Sequence, residues 1–360
     1  MVKITTVVGA RPQFVKAAVL SRHFKSLEAV SETIVHTGQH FDDSMSKIFF
    51  DELDIPHPAV NLGIHSVDHC AMIGRLIEKL GDVYTKNRPN LVLVYGDTNS
   101  TLAAAIAAKK HSIPLVHVEA GIRTGDEHAP EESNRYLVDR MSAMNFCCTQ
   151  TGLDNLVKEG FQSGLINSKI FNYGDVMKDA VLHYTDKRKV AGYRGREGGR
   201  PSIAVTIHRA ENTDSSRKLR EIVDGLNFLS KDFEIIFPIH PRTMEAVKRL
   251  GAAFDFPVLP PVGYIEMLDI LSGCHGVLTD SGGLVREAYF FGRPSVYVLD
   301  RPAWVELIEN GSCERADCSA QSIFAAARRM VGRDVSTENC PFGRGDAGSL
   351  IAKEILASFS

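Results

Sequence analysis

Three acidic residues lie beside short apolar runs, at places where proton-transfer chemistry can be built. Asp97 ends the segment VYGD, Glu119 lies in HVEAGIR, and Glu131 lies in PEESNR at a predicted helix start. Carboxylates that lie close together shift each other's pKa toward values useful in acid–base catalysis. Singly, Asp97 is explained as a helix cap and Glu131 as a partner of the helix dipole. The three together indicate proton transfer at one edge of a sheet.

Two glycine-containing turns are suited to binding an anion such as a diphosphate. The segment GARPQ follows the first apolar run and contains Arg11, and Lys16 lies in the helix after it. In the second half, Ser281, Gly282 and Gly283 precede a helix, so that backbone N–H groups can approach phosphate oxygens. The structural alternative for GARPQ is a tight strand–helix turn with two solvated cations, and for the SGG turn it is a glycine-rich strand–helix turn. GARPQ also lacks the G-x-G-x-x-G spacing of dinucleotide sites.

Two polar residues of the second half complete the candidate nucleotide site. His208 follows the run VTI, where it can contact a diphosphate or deliver a proton to a leaving group, and a capping histidine is the alternative. Glu287 lies about one turn into the helix after the SGG turn, where a carboxylate can bind a ribose diol. The second half is therefore predicted to bind a nucleotide.

The hydrophobic pattern predicts an α/β scaffold for these residues. Short apolar runs such as 3–8, 91–95 and 276–279 alternate with amphipathic stretches of helical length such as 67–86. Apolar strands joined by helices form a parallel sheet covered on both faces, which is a doubly wound unit. Ligands of such sheets bind beyond the carboxyl ends of the strands, where the candidate residues lie.

The alternation restarts in mid-chain, which predicts two domains. Residues 1–180 form one Rossmann-like domain and residues 181–347 a second that binds the nucleotide, and a terminal helix covers 348–360. A chain of 360 residues suits two domains. The charged, glycine-rich segment 187–200 is predicted to be a surface loop or linker.

The composition excludes several classes of protein. A formal net charge of -3 leaves no excess of positive charge for a nucleic-acid backbone or an anionic membrane. No apolar stretch approaches the roughly 18 residues of a membrane helix. Seven cysteines without C-x-x-C pairs predict free thiols in a reducing cytoplasm rather than a disulfide framework or a metal site. We expect no metal and no nicotinamide cofactor.

Nine segments, in this order, resemble the non-hydrolysing UDP-N-acetylglucosamine 2-epimerase family. They are GARPQFVK, HTGQH, VYGDTNST, HVEAGIRTGD, PEESNR, GDVMKD, HRAENT, PPVGY and TDSGG followed two residues later by EA. Each is weak alone, but together they cover nearly the whole chain in the family's order. The resemblance implies a GT-B-like fold, two Rossmann-like domains with the active site in the cleft. It also implies a terminal helix packed on the first domain, no cofactor, and a homodimer.

The resemblance further implies a role for each candidate residue. Proton transfer is carried by the catalytic residues Asp97, Glu119, Glu131 and His208, with Lys16 near the sugar. Binding of UDP is carried by Arg11, Ser281, Gly282 and Gly283 at the diphosphate, Glu287 at the ribose, and the segment 260–267 with Tyr264 and Met267 at the uracil. The family eliminates UDP across C1–C2 to give a glycal and adds it back with C2 inverted, because the C2 proton is not next to a carbonyl.

Departures from the family pattern bear on the substrate. The loop 123–130 is short, and residues 304–306 read WVE where the family has arginine-proline-glutamate. These sequence features resemble a branch of the family that epimerises UDP-2,3-diacetamido-2,3-dideoxy-glucuronate for O-antigen sugars. That branch often has basic residues where this chain has Asp-Glu-His at 126–128. Arg123 or Arg301 could instead supply the positive charge that a uronate carboxylate prefers. We favour the uronate slightly, with UDP-N-acetylglucosamine as the alternative.

Regulation and competing functions complete the expectations. Asp42 and the segment 64–70 depart from the activator site of some relatives, so we predict no requirement for added UDP-N-acetylglucosamine. A GT-B glycosyltransferase would share the diphosphate site but has little use for three carboxylates. An inert UDP-sugar sensor would not need them at all. A hydrolysing relative, which releases free UDP and sugar, would use part of the same chemistry.

Overall fold

A computed structural model describes residues 1–39, 50, 52–188 and 199–359. The chain divides into two compact units, of which the first comprises residues 1–182 with 340–360 and the second residues 183–339. The chain thus returns to the first unit at Cys340, earlier than the predicted 348. Most of the predicted linker 187–200, and Asp42, lie outside the described residues.

The first unit is built on a parallel sheet of seven strands in the order β3-β2-β1-β4-β5-β6-β7. Its elements are β1 (Val2–Val8), α1 (Arg11–Lys25), β2 (Val30–His36), β3 (Val60–Asn61), α2 (His69–Asn87), β4 (Leu91–Tyr95), α3 (Asn99–Lys110), β5 (Leu115–Ala120), α4 (Pro130–Met141), β6 (Met144–Cys147), α5 (Gln150–Lys158), β7 (Lys169–Asn172), α6 (Val176–Arg188) and α14 (Ala347–Phe359). The strand order reverses between β1 and β4, which is the point where open α/β sheets bind ligands.

Burial explains why this sheet forms where the sequence predicts it. All five residues of β4 are buried, as a central parallel strand covered by helices on both faces requires. The alanines at 103–105 are also fully buried, and their small side chains let α3 pack closely on the sheet. The short edge strand β3 was not predicted, because its two residues carry no periodicity.

The second unit has a parallel sheet of five strands in the order β12-β11-β10-β8-β9. Its elements are β8 (Ser202–Thr206), α7 (Ala210–Thr213), α8 (Ser216–Leu229), β9 (Glu234–Ile236), α9 (Pro241–Arg249), α10 (Tyr264–Gly273), β10 (Gly276–Thr279), α11 (Gly282–Phe290), β11 (Ser295–Tyr297), α12 (Val305–Glu309), β12 (Cys313–Arg315) and α13 (Ala320–Met330). A core of aliphatic side chains from β8, β10, α8 and α13 supports it, including Ile203, Leu226, Leu278 and Ile323.

The terminal helix α14 packs on α1 of the first unit. A Cβ on Gly348 would lie 2.5 Å from Cγ1 of Val19, so only glycine permits this approach. The carboxylate of Asp179 accepts hydrogen bonds from the backbone N–H groups of Ala347 and Gly348, at 3.3 and 2.7 Å. Burial, with the charges of Asp175 and Asp346, raises the pKa of Asp179 to about 6 against those hydrogen bonds.

Two general expectations can be compared with the structure. Each unit is a parallel sheet flanked by helices, so the predicted α/β doubly wound fold class is confirmed. Within the described ranges, no helix has both the length and the apolar character to cross a membrane.

Candidate active site

The carboxyl end of β5 carries a buried ion pair. Glu119 has a φ of +74°, a left-handed conformation that residues other than glycine rarely adopt. The pairing of β5 with β6 also shifts register between Val118 and Ala120. Lys16 Nζ lies 2.7 Å from Glu119 Oε2, and the two side chains are 4% and 9% exposed. The predicted alternative of a solvated Lys16 is therefore wrong, because the lysine is buried against a carboxylate.

Asp97, directly after β4, is held by the helix α4. Arg135 Nε donates to Asp97 Oδ2 over 2.8 Å, and Asn134 Nδ2 donates to the backbone oxygen of Asp97 over 2.8 Å. A Cβ on Gly96 would lie 3.5 Å from Lys16 Nζ and 3.6 Å from an oxygen of Glu119. The two ion pairs thus lie at adjacent strand ends of the first unit.

Glu132 supports the candidate site, and the sequence analysis did not nominate it. Its carboxylate accepts from the backbone N–H groups of Thr124 and Gly125 and from Arg135 Nη1. Burial alone would raise the pKa of Glu132, but these donors hold it below its usual value. Glu132 therefore fixes the loop after β5 and also positions the arginine that holds Asp97. The PEE pair in the sequence was the only signal for it.

Glu131 contrasts with the other two predicted acids. It lies in the first turn of α4, where its side chain is partly exposed. Within the part of the chain that the structure describes, no ion pair to its carboxylate occurs. Glu131 is therefore the member of the acidic set that is not paired with a cation.

The GARPQ turn lies at the β1–β4 switch point. Gln13 Oε1 accepts from the backbone N–H groups of Gly9 and Ala10, and its Nε2 donates to the backbone oxygen of Tyr95 over 2.8 Å. Gln13 thus joins the ends of β1 and β4. Arg11 is the first residue of α1 and is partly exposed there.

In the second unit, His208 is held by a buried carboxylate that the sequence analysis did not nominate. Asp280 is fully buried and accepts from the backbone N–H groups of His208 and Arg209 and from Asn212 Nδ2. His208 Nδ1 lies 3.3 Å from Asp280 Oδ1, while the His208 side chain is 46% exposed. Asp280 therefore orients the His208 ring through Nδ1.

The SGG turn begins α11 as predicted. Ser281 Oγ accepts from Leu284 N–H as the helix cap, which leaves its hydroxyl hydrogen available to a ligand. A Cβ on Gly282 would lie 3.2 Å from both Trp304 Nε1 and the Tyr297 hydroxyl. Larger residues would therefore crowd this turn. Glu287 lies in the second turn of α11 and is 6% exposed.

A cluster of polar and aromatic side chains surrounds Gly282. The Arg286 guanidinium lies 4.1 Å from the Trp304 ring centroid, and its Nε donates to the Gly282 oxygen over 3.3 Å. The Tyr297 hydroxyl is buried and has no hydrogen-bond partner among the described residues. An unpaired buried hydroxyl costs about 1–3 kcal/mol, so a ligand oxygen beside Gly282 would relieve that cost.

The predicted uracil segment begins α10. Tyr264 is its first residue, and its ring meets that of Tyr184 edge-on at 5.8 Å. Met267 lies one turn further on the same helix and is partly exposed. Spacing of three residues places the two side chains on one helix face.

Arg123 does not have the role considered for it. Its guanidinium binds Asp139 at 2.8 Å and Glu159 at 2.7 Å and lies 4.2 Å from the Tyr136 ring centroid. Its side chain is 9% exposed. The suggestion that Arg123 binds a uronate carboxylate is therefore wrong, because the guanidinium is already used inside the first unit.

One group of side chains has the donor set of a metal site. Ligand atoms of Glu119, Cys148 and Asp175 lie within 4.8 Å of one another, and all three residues are buried. Lys16 already supplies a positive charge to Glu119. The group therefore fits an internal ion-pair network better than a resident cation.

The predicted site residues separate between the two units. The first unit carries Arg11, Lys16, Asp97, Glu119 and Glu131, and the second carries His208, Tyr264, Met267, Ser281, Gly282, Gly283 and Glu287. Within each unit they lie at strand ends or in the first two turns of helices. The first unit thus holds paired acids, and the second holds helix ends and an oriented histidine.

Comparison with known proteins gives matches along nearly the whole chain. A family model described as UDP-N-acetylglucosamine 2-epimerase matches residues 22–356. The chain is 44% identical to the UDP-2,3-diacetamido-2,3-dideoxy-D-glucuronate 2-epimerase of Pseudomonas aeruginosa, with 98% of each chain covered. It is 35% identical to a UDP-N-acetylglucosamine 2-epimerase of Methanococcus maripaludis, with 99% of each covered.

Solved structures agree with this match. The UDP-GlcNAc 2-epimerase of Methanocaldococcus jannaschii, in complex with UDP-GlcNAc and UDP, aligns with a TM-score of 0.89 at 31% identity. That alignment covers 99% of each chain. The resemblance drawn from the nine segments, and the GT-B-like fold class with two Rossmann-like units, are confirmed.

Proposed function

The chain belongs to the UDP-N-acetylglucosamine 2-epimerase family, and from this premise we propose that it inverts C2 of a UDP-2-acetamido sugar. The observation that carries the proposal is the occurrence of two ion pairs at adjacent strand ends, the buried Lys16–Glu119 and the partly buried Arg135–Asp97. A protein that only binds a UDP-sugar has no need to fix two carboxylates there, since removing charge from water is costly.

We assign proton transfer to the acids of the first unit. A carboxylate takes the C2 proton, the C1–O bond to UDP breaks, and a C1=C2 double bond forms. A second acid then delivers a proton to C2 from the opposite face, and an oxygen of UDP rebuilds the bond to C1. Asp97, Glu119 and Glu131 supply these groups, and Lys16 and Arg135 fix two of them in place.

We assign the departing UDP to the second unit. The N-terminus of α11 offers backbone N–H groups and the Ser281 hydroxyl to the diphosphate, and His208 stabilises the charge that develops as the C1–O bond breaks. Glu287 accepts from the ribose hydroxyls, and Tyr264 and Met267 line the uracil. Arg11 of the first unit adds a cation. In this proposal, the first unit supplies the proton-transfer groups and the second unit binds the nucleotide.

We favour UDP-2,3-diacetamido-2,3-dideoxy-glucuronate as the substrate. Its support is the 44% identity to an epimerase named for that sugar and the short loop 123–130. With Arg123 engaged elsewhere, the uronate carboxylate needs another cation, and Arg301 is the remaining candidate. UDP-N-acetylglucosamine is the alternative substrate. We further propose that the protein is a homodimer in the cytoplasm and that its product is used to make O-antigen sugars. Seven free thiols suit the reducing cytoplasm.

Incubation in D₂O tests the proposal and separates its alternatives. The protein is given each UDP-sugar in turn, and proton NMR follows the C2 signal and the products. We expect the C2 epimer to accumulate with deuterium at C2, faster for the uronate. Acceptor-dependent release of UDP without exchange would indicate a glycosyltransferase. Free UDP with free sugar would indicate a hydrolysing relative, and no turnover of either sugar would support a sensor.

A further inference from the structure

A histidine in the middle of the first sheet has hydrogen-bond acceptors on both ring nitrogens. His117 is fully buried in β5, two residues before Glu119. Its Nε2 lies 2.7 Å from the backbone oxygen of Gly96, and its Nδ1 lies 2.8 Å from Asp139 Oδ1. A neutral imidazole carries a hydrogen on only one of its nitrogens. One of these two contacts would then have no hydrogen between its atoms.

The acceptors themselves decide how many hydrogens the ring carries. A backbone carbonyl can only accept, so Nε2 must donate to Gly96. Asp139 is also an acceptor, because its Oδ2 forms an ion pair with Arg123 Nη2 at 2.8 Å and accepts from the Gly121 N–H, as an ionised carboxylate does. Both ring nitrogens therefore donate, and His117 is an imidazolium.

The surrounding charges balance this cation. Asp139 Oδ2 accepts from Arg123 Nη2 at 2.8 Å and from the Gly121 N–H at 3.2 Å, and Arg123 Nε binds Glu159. Two cations thus meet two carboxylates. Burial, followed by the charge of Asp139, raises the pKa of the Cys147 thiol on the neighbouring strand, which keeps that group neutral.

We propose that the His117 imidazolium is a positioning residue that sets the spacing between Asp97 and Glu119. Through Nε2 it holds the carbonyl of Gly96, the residue before Asp97. Through Asp139 it holds Gly121, two residues after Glu119, and joins both to α4. A neutral ring would release one of these links. The kinetic role rests on the function proposed above, whereas the protonation state does not.

Histidine-selective ¹⁵N NMR of the wild-type protein tests the protonation state directly. Ring correlations report which nitrogens of each of the 13 histidines carry hydrogen. We expect one buried histidine with hydrogens on both nitrogens, and the spectrum of His117→Gln should lack that signal. If that variant does not fold, His117→Asn serves for assignment. A His117 signal with a single ring hydrogen would overturn the proposal.

Kinetics test the positioning role. Misplacing a reacting group by about 1 Å can cost about 100-fold, so His117→Gln should lower kcat about 10–100-fold and change the UDP Kd less than about threefold. The matched control is His111→Gln, an exposed histidine after α3, which should retain wild-type rates. A folded His117→Gln variant with kcat within threefold of wild type would refute the role. Absence of epimerase activity in the wild type would instead refute the function proposed above.

Discussion

The strand ends of the two units carry different kinds of polar group. In the first unit, carboxylates are paired with buried cations, as in Lys16–Glu119 and Arg135–Asp97. In the second, the only fully buried carboxylate at the described strand ends, Asp280, is surrounded by N–H donors, and a buried hydroxyl of Tyr297 lacks a partner. Fixed acids suit proton transfer, and the Tyr297 hydroxyl, without a partner among the described residues, suits an incoming anion. The contrast indicates that chemistry and nucleotide binding are divided between the units.

The largest expected effect on kcat comes from substituting an acidic residue of the first unit. Asp97→Asn removes a proton-transfer group, so kcat should fall about 10²–10⁴-fold while the UDP Kd stays within about threefold. Steady-state rates and titration calorimetry measure the two quantities. The matched control is Asp82→Asn, an exposed aspartate of α2, which should behave as wild type. An Asp97→Asn enzyme with normal kcat would remove Asp97 from the mechanism.

The next effect comes from releasing the histidine of the second unit. Asp280→Asn keeps the shape but loses the charge that orients His208, so both kcat and UDP affinity should fall, by about 10–100-fold in kcat/KM. Because Asp280 is fully buried, thermal unfolding must accompany the kinetics. A folded variant with unchanged kcat/KM would show that the orientation of His208 does not matter.

A smaller effect is expected from the buried hydroxyl near Gly282. If Tyr297 donates to the diphosphate, Tyr297→Phe should weaken UDP binding about 5–10-fold, the equivalent of one hydrogen bond, and alter kcat less. Tyr95→Phe is the matched control, because Tyr95 has a buried hydroxyl without a described partner in the first unit. Equal effects of the two substitutions on UDP binding would contradict the assignment.

The smallest effect on chemistry is expected at Asp179, which fastens α14 to the first unit. Its folded pKa of about 6 lies above the usual aspartate pKa of 3.8, so Asp179 in the unfolded chain loses its proton first as pH rises. The contribution of Asp179 to the free energy of unfolding should therefore fall by about 2 kcal/mol between pH 4 and pH 7. Denaturant unfolding of wild type and Asp179→Asn across that range measures it. Parallel pH profiles of the two proteins would contradict the raised pKa, and kcat should not change.

The sequence predicted which strand ends carry the candidate residues, because that placement depends on local order alone. Asp97, Glu119 and Ser281 each follow an apolar run, and parallel strands bring such positions to one edge. The helix start at Ser281 followed from its capping residue in the same way, whereas the cap considered at Asp97 is wrong, because Thr98 caps α3. The terminal helix and the length of most strands were also readable from periodicity.

Partners across the sheet were not predictable in the same way. Pairing of Arg135 with Asp97, of Asp139 with His117, and of Asp280 with His208 spans between 22 and 72 residues of sequence. Each pairing depends on which strands become neighbours and which helix covers them. Periodicity does not carry that information, so Asp280 and Glu132 were read as parts of motifs without roles of their own.

The assignment of proton transfer to the first unit is tested most directly by deuterium exchange at C2 in the Glu119→Gln variant. The variant is saturated with UDP-sugar in D₂O, with saturation checked by UDP displacement, and deuterium at C2 of the recovered sugar is followed by NMR. We predict normal saturation and an exchange rate at least about 100-fold below wild type. Wild-type exchange in a saturated Glu119→Gln enzyme would contradict the assignment of proton transfer to the first unit.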